Sequence, residues 1–423
     1  MLAASALALC GGTAPASQPQ GAYAPGWSAV HADAANSDYH PFEGPADVTL
    51  AWSRRFDGTI NLGATSDGRG RLYVTTGGSG CRLHALDRAT GRTIWCSGIP
   101  GRLAVASAPL VDRQGNLYLA DDRAMRSFDR DGKLRWTRPI IGVPLSAQFT
   151  PAGDLLFITH VGVIYLLARE TGWPRSEPYA LVERPSYDPA AGARACMRGL
   201  AGCPSANTPA LDLATGRLVF TFWTPGAPSA GVRAMRLGPR LEPEWTNDNL
   251  PGGSASSPDL SADGKRLYLT DNKGGLHALD AATGRVIWTV PIGYAAGGSV
   301  SLSPEGLIIP AGGRGAPLMA IEDRGDRGVV RWKNDSLVNF GVATQAAGFK
   351  AYPTVSTGRG TADLLVVDTR TGALLDREPI PGKPFFTVGT SLDLDGTVYV
   401  ATIRGELHAF VPASRASKPG ARR

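Results

Sequence analysis

Residues 276–288 read LHALDAATGRVIW and residues 83–95 read LHALDRATGRTIW, with Arg88 and Thr93 standing where the second copy has Ala281 and Val286. An active site is built once in a chain. A thirteen-residue segment written twice, nearly two hundred positions apart, points to a repeated structural unit, and the repeat has to be read before any chemistry.

Within the second copy, Leu276, Ala278 and Asp280 alternate with His277 and Leu279, the period-2 pattern of a β-strand. The sequence DAATG then turns the chain. The Asp carboxylate can accept from turn amides, and Gly284 tolerates the positive φ that a tight turn needs. RVIW is the return strand. Upstream, ASSPDLSADGKRLYLTDNKG (255–274) supplies a small-residue strand, a turn at ADGK and the strand RLYLT. Together these make a four-stranded antiparallel meander of about forty residues.

The same frame recurs at MRSFDRDGKLRW, IYLLARETG, VRAMRLGPRLEPEW, LMAIEDRGDRGVVRW, LLVVDTRTGALLD and LHAFVPAS. The turn-Asp position falls at Asp87, Asp129, Ala168, Arg236, Asp280, Glu322, Asp368 and Val411. The intervals run from 39 to 46 residues, apart from one of 68. That long interval contains an insertion, residues 175–205. Eight four-stranded units predict an all-β, eight-bladed β-propeller, whose radial packing hides most strand edges. The composition agrees, with 43% hydrophobic residues, 53 Gly and 32 Pro. It excludes a disordered chain and favours many short strands joined by turns.

The ends of the array complement each other. The eighth unit stops after its third strand at LHAF, whereas LAWSRRFDG (50–58) precedes the first full unit as an orphan tryptophan strand. Trp52 is therefore expected to complete the last blade and close the ring. The chain divides into residues 1–20 (export signal and flexible tail), 21–47 (lead-in), 48–412 (propeller) and 413–423 (basic tail).

The pattern A-x-D-x-x-T-G-x-x-x-W resembles the tryptophan-docking repeat of the quinoprotein-like propeller superfamily. That superfamily holds quinone-dependent alcohol dehydrogenases and non-enzymatic, BamB-like assembly lipoproteins. The resemblance spans roughly residues 48–412. It implies that Trp52, Trp95, Trp136, Trp245, Trp288 and Trp332 wedge between adjacent blades. In the third and seventh units Ser176 and Asp376 stand where tryptophan is expected. A catalytic member would carry a vicinal disulfide, a calcium held by acidic and amide side chains, and a catalytic Asp. No two cysteines here are adjacent, and no residue could be matched to the calcium or catalytic positions. No catalytic, cofactor-binding or metal-binding residue is therefore assigned. The alternative reading is a quinone-dependent oxidoreductase using the propeller funnel.

Other motifs reduce to the repeat. His84, His277 and His408 occupy one slot in three units, too far apart around a ring to share a metal. DLDGT (393–397) and SADGK (261–265) sit where hairpin turns are needed, and GGRGAP (312–317) has no following helix to present amides to phosphate. HADAANSDYH (31–40) contains His31, Asp33 and His40, which could bind a metal, but packing across one end of the propeller is the expectation. Among the aromatics outside the repeat, Trp223 is the first to examine for a vestigial quinone site.

The N-terminus, MLAASALALCGGTAPASQPQ, reads as the apolar end of an export signal without its basic start. LALC resembles a lipoprotein box with Cys10 as the lipidated residue. Cleavage after APA (14–16) is the competing reading. The remaining four cysteines favour an oxidising compartment. Cys81 and Cys96 are expected to pair, because a hairpin centred between Arg88 and Ala89 would set them opposite each other. Cys196 and Cys203 would close a small loop inside the insertion. A long loop on a rigid scaffold is where binding usually resides, which makes the insertion the candidate partner site, and Arg184, Arg194 and Arg198 give it local positive charge. The net charge of +6 is mild, and no basic run or helix stands out, so nucleic-acid binding is not expected. The sequence reads as an exported, monomeric scaffold for another envelope protein. It needs no cofactor, and a lipid anchor would be its sole contact with the membrane.

Overall fold

The computed structural model describes residues 21–416. Cys10 and the tail beyond 416 lie outside them. Among the described residues the strands form six four-stranded sheets and one ten-stranded sheet. The latter holds two further four-stranded units, joined through Thr354–Gly358 and extended by Tyr39–Glu43 from the lead-in. The fold is the all-β propeller expected from the repeat.

In each unit the second strand is almost wholly buried, whereas the fourth is mostly half-buried or exposed. The second unit is typical. Leu117–Ala120 is fully buried, whereas Leu134–Pro139 faces solvent along one side. Blade 8 is assembled from both ends of the chain. Val48–Arg55 pairs antiparallel with Glu406–Pro412, setting Trp52 opposite Ala409. Past that strand, Ala413–Ala416 forms one helical turn, and Arg415 pairs with Asp395 at 2.7 Å. The start of the expected free tail is therefore tied to blade 8.

The duplicated segment is the contact between blades. Trp52 Nε1 donates to the Arg88 carbonyl of blade 1 at 3.0 Å, and Trp95 to Arg130 of blade 2 at 2.9 Å. Trp136, Trp245 and Trp332 donate likewise to Arg169, Ala281 and Thr369, while Trp288 reaches the Asp323 carboxylate. Each indole also covers the turn glycine of the blade it reaches. A Cβ on Gly132 (φ +85°) would stand 2.6 Å from the Trp95 ring. Each indole contributes on the order of 4–6 kcal/mol of gross burial before side-chain entropy is subtracted. Four of them also sit beside the second-strand tyrosine of their own blade, as Trp95 does beside Tyr73 with ring centroids 6.3 Å apart.

The hairpin holding Cys81 and Cys96 departs from the expected register. Asp87 accepts from Gly91 N at 2.8 Å, and a bulge follows between Ala85 and Leu86. Cys96 therefore faces His84, not Cys81. Residues 79–82 leave the strand and bring the two cysteines to a Cα separation of 5.6 Å, where they are bonded. The pairing holds, but a turn and bulge that consume extra residues produce it.

Candidate functional site

The lead-in closes one end of the ring. The innermost strands have no strand neighbour on the axial side, so their axis-facing N–H groups need acceptors. Residues 27–38 supply them in passing: Ser66 N donates to Trp27 O, Val111 N to Ser28 O, and Leu211 N to Ala34 O. Leu260, Leu302 and Gln345 continue the series with Ala35, Ser37 and Asp38. Blade 3 joins through Tyr23, which donates to Gln148 Oε1 at 2.7 Å and accepts from Phe149 N. Ala32, Asn36 and Asp38 take left-handed backbone conformations to follow this path. That strain persists only because so many contacts hold the segment.

His31, Asp33 and His40 do not converge. His31 Nδ1 lies 2.8 Å from Asp38 and its Nε2 3.1 Å from Ser257 Oγ. Asp33 accepts from Ser37 N and Oγ, and His40 is buried, which lowers its pKa to about 4. Sequence reasoning overlooked Asp259, on the inner strand of blade 5. It is fully buried, and no side chain hydrogen-bonds its carboxylate. Burial, then the nearby Asp38 and Asp33, push its pKa well above the ordinary carboxylate value. Burial also raises Asp33 and Asp38. Among the described residues no three His, Cys, Asp or Glu side chains are grouped so as to hold a metal. The repeat histidines are likewise engaged within their own blades. His277 bridges Asp271 (2.7 Å) and Thr289 (2.9 Å), and His408 meets Ser53 Oγ at 2.8 Å.

The insertion lies at the opposite end, over the loops joining second to third strands. Leu181 N donates to Gly162 O of blade 3, Trp223 N of blade 4 to Pro204 O, and Asn272 of blade 5 to Arg198 O. Gly199 (φ +56°) packs against Ser254 so closely that a Cβ would fall 1.6 Å from its carbonyl oxygen. Cys196 and Cys203 are bonded, with Cα atoms 5.0 Å apart. That crosslink removes roughly 2–3 kcal/mol of loop entropy from the unfolded chain. Trp223 is held under this loop, donating to Ala227 O at 3.0 Å.

Arg184, Arg194 and Arg198 all point to solvent. Tyr187 (82% exposed) and Met197 (80%) share the loop with them, together with Leu200. In the sequence, length on a rigid scaffold and local charge single the loop out. The exposed Tyr and Met, within a stretch otherwise rich in Ala, Gly and Arg, were the signal left unused.

The family model described as outer membrane protein assembly factor BamB matches residues 44–176 and 205–419. The chain belongs to that family. The match breaks over residues 177–204, within the insertion. Protein Rv3035 of Mycobacterium tuberculosis is 33% identical over 405 residues, covering 93% of this chain and 97% of its own. BamB from Moraxella catarrhalis superposes with a TM-score of 0.61 at 17% identity, over 86% of this chain and 97% of that one. A quinohemoprotein alcohol dehydrogenase from Comamonas testosteroni gives 0.62 at 17% identity, over 94% and 82%. At these identities the two structures speak for the propeller fold, which enzymes and non-enzymes share.

Proposed function

We propose that this BamB-family propeller is an exported, non-catalytic scaffold that holds another protein of the cell envelope through its disulfide-closed insertion. The observation that carries the reading is the insertion itself. It is stapled by Cys196–Cys203, anchored to blades 3, 4 and 5, and still presents Tyr187 and Met197 to solvent beside three arginines. A rigid loop with exposed aromatic, Met and Arg side chains has the composition of a protein-binding hot spot. The two disulfides support an extracytoplasmic location. Among the described residues no helix is long and apolar enough to cross a membrane. Lipidation at Cys10 would supply the tether, with the protein acting as a monomer.

The donor set supports a non-catalytic role. A quinone with its calcium brings several charges that need paired partners if buried. The axial acids Asp33 and Asp38 are committed to Ser37 and His31, and among the described residues no three His, Cys, Asp or Glu side chains are grouped so as to hold a metal. These residues do not fit a divalent cation. The test has two arms. A photocrosslinker placed at Tyr187 should capture one envelope protein, and Arg194→Glu with Met197→Asp should abolish that capture. Pyrroloquinoline quinone and Ca²⁺ should give neither binding heat nor dye reduction with alcohols, sugars or amines. Micromolar quinone binding with calcium-dependent turnover would replace the scaffold reading with an oxidoreductase.

A further inference from the structure

A second feature of the insertion-bearing end lies between blades 1 and 2, in a hollow of about 250 Å³. Arg82, Ile99 and Arg102 line it from blade 1 and its outgoing connection. The second-to-third strand loop of blade 2 contributes Asp121, Asp122, Arg123 and Arg126. Four guanidiniums thus meet two carboxylates.

The carboxylates do not neutralise the set. Asp121 is fully engaged, accepting from Gly101 N (2.6 Å), Arg123 N (2.8 Å) and Ala124 N (2.9 Å) while pairing with Arg126. Asp122 faces Arg123 Nε at 3.7 Å, beyond hydrogen-bond distance. Among the described residues Arg82 donates only to the backbone carbonyls of Pro100 and Ser79. Arg102 is exposed and has no partner among the described residues. Two positive charges are therefore left without an anion around one concavity. Beside them stands a carboxylate with acceptor capacity, and Ile99, 51% exposed, forms an apolar wall.

We propose that this hollow binds a phosphorylated polyol. A phosphate monoester is close to a dianion at neutral pH and accepts several guanidinium N–H groups at once. It matches the two uncompensated cations, Arg82 and Arg102, with Arg123 at the rim. A neighbouring hydroxyl of the ligand donates to Asp122, and its carbon skeleton lies against Ile99. The volume suits a small molecule or a single headgroup. The polyol phosphate comes either from a soluble metabolite or from a membrane lipid.

Calorimetric titration of the full-length protein with glycerol 3-phosphate and inositol 1-phosphate, alongside flotation on vesicles containing phosphatidylinositol 4-phosphate, reads both sources. Binding of the free compounds alone assigns a soluble ligand, and flotation that fails on phosphatidylcholine vesicles assigns a headgroup. Arg102→Gln should weaken binding about tenfold, the scale of one charge-assisted hydrogen bond, with the melting temperature unchanged. Asp122→Asn should weaken the polyol phosphates but leave inorganic phosphate as it was. Arg314→Gln, at an exposed position in blade 6, should change neither. No binding at millimolar concentration by any of these probes would overturn the proposal. So would wild-type affinity in Arg102→Gln, or inorganic phosphate binding as tightly as glycerol 3-phosphate.

Discussion

Blade junctions of two kinds hold this ring together. Between blades 1 and 2 the indole of Trp95 lies on Gly132 and donates to the carbonyl of Arg130. Between blades 3 and 4, and between 7 and 8, there is no such tryptophan, because Ser176 and Asp376 hold its position. In both cases the receiving turn is also gone. Blade 4 turns through Leu237–Leu241 without the T-G step, and in blade 8 the third and fourth strands come from opposite ends of the chain. The indole is kept where a glycine turn can seat it and lost where none exists, so the two sides of the contact act as one unit. Other contacts take over at the exceptions. Phe220, Phe222 and Met235 of blade 4 belong to one buried cluster with Leu155, Phe157 and Tyr165 of blade 3. At the closure, the Asp376 carboxylate accepts from Val48 N at 2.8 Å. The insertion begins at the first of these exceptions, where blade 3 keeps only the two-residue fourth strand Tyr179–Ala180.

The severest way to break this contrast is to remove the closing strand. Deleting residues 48–55 takes away Trp52 and its ladder with Glu406–Pro412, exposing a strand edge in blade 8. Unfolding free energy should drop by roughly 5 kcal/mol or more, from lost indole burial and backbone hydrogen bonds. Denaturant titration reads this, and a truncated protein with the wild-type midpoint would show that the ring does not depend on closure.

Next in size are the seats and their occupants. Trp95→Ala should cost about 3–5 kcal/mol, as large-to-small core changes do. Gly132→Ala should cost about 2 kcal/mol, because it combines a positive φ with a clash against that indole. Gly238→Ala, in the turn of blade 4 that receives no tryptophan, should stay within about 0.5 kcal/mol. Equal losses at the two glycines would remove the distinction between the junction types.

Acid should strain the closure in particular. His408 touches Ser53 across the two chain ends, and burial lowers its pKa to about 4, as it does for His40 in the lead-in. The unfolded chain takes up these protons near pH 6.5, whereas the folded chain resists until about pH 4. More protons are bound in the unfolded state across that window, so stability is complete above it and falls as the pH drops through it. Each histidine carries on the order of 3 kcal/mol of this loss. His408→Gln should flatten its share of the slope in melts recorded from pH 7 to pH 4, and an unchanged slope would take His408 out of the account.

The smallest effect belongs to the substitute contact. Asp376→Ala removes the acceptor of Val48 N and should cost about 1 kcal/mol. A loss as large as that of Trp95→Ala would mean that the carboxylate does the work of an indole.

Read by itself, the sequence determined the blades. Strand alternation and the T-G turn are local and periodic, so they repeat visibly. A missing fourth strand at one end with a surplus strand at the other was enough to place Val48–Arg55 beside Glu406–Pro412. Residue counting could not give the Cys81–Cys96 register, because the turn and bulge between them absorb extra residues. The role of residues 27–38 as acceptors for the inner strands, the burial of Asp259, and the meeting of Arg82 with Arg102 and Arg123 were decided only in three dimensions. Each of these joins positions from different blades that share no period. Which of their charges are left uncompensated depends on distances that only the closed ring sets.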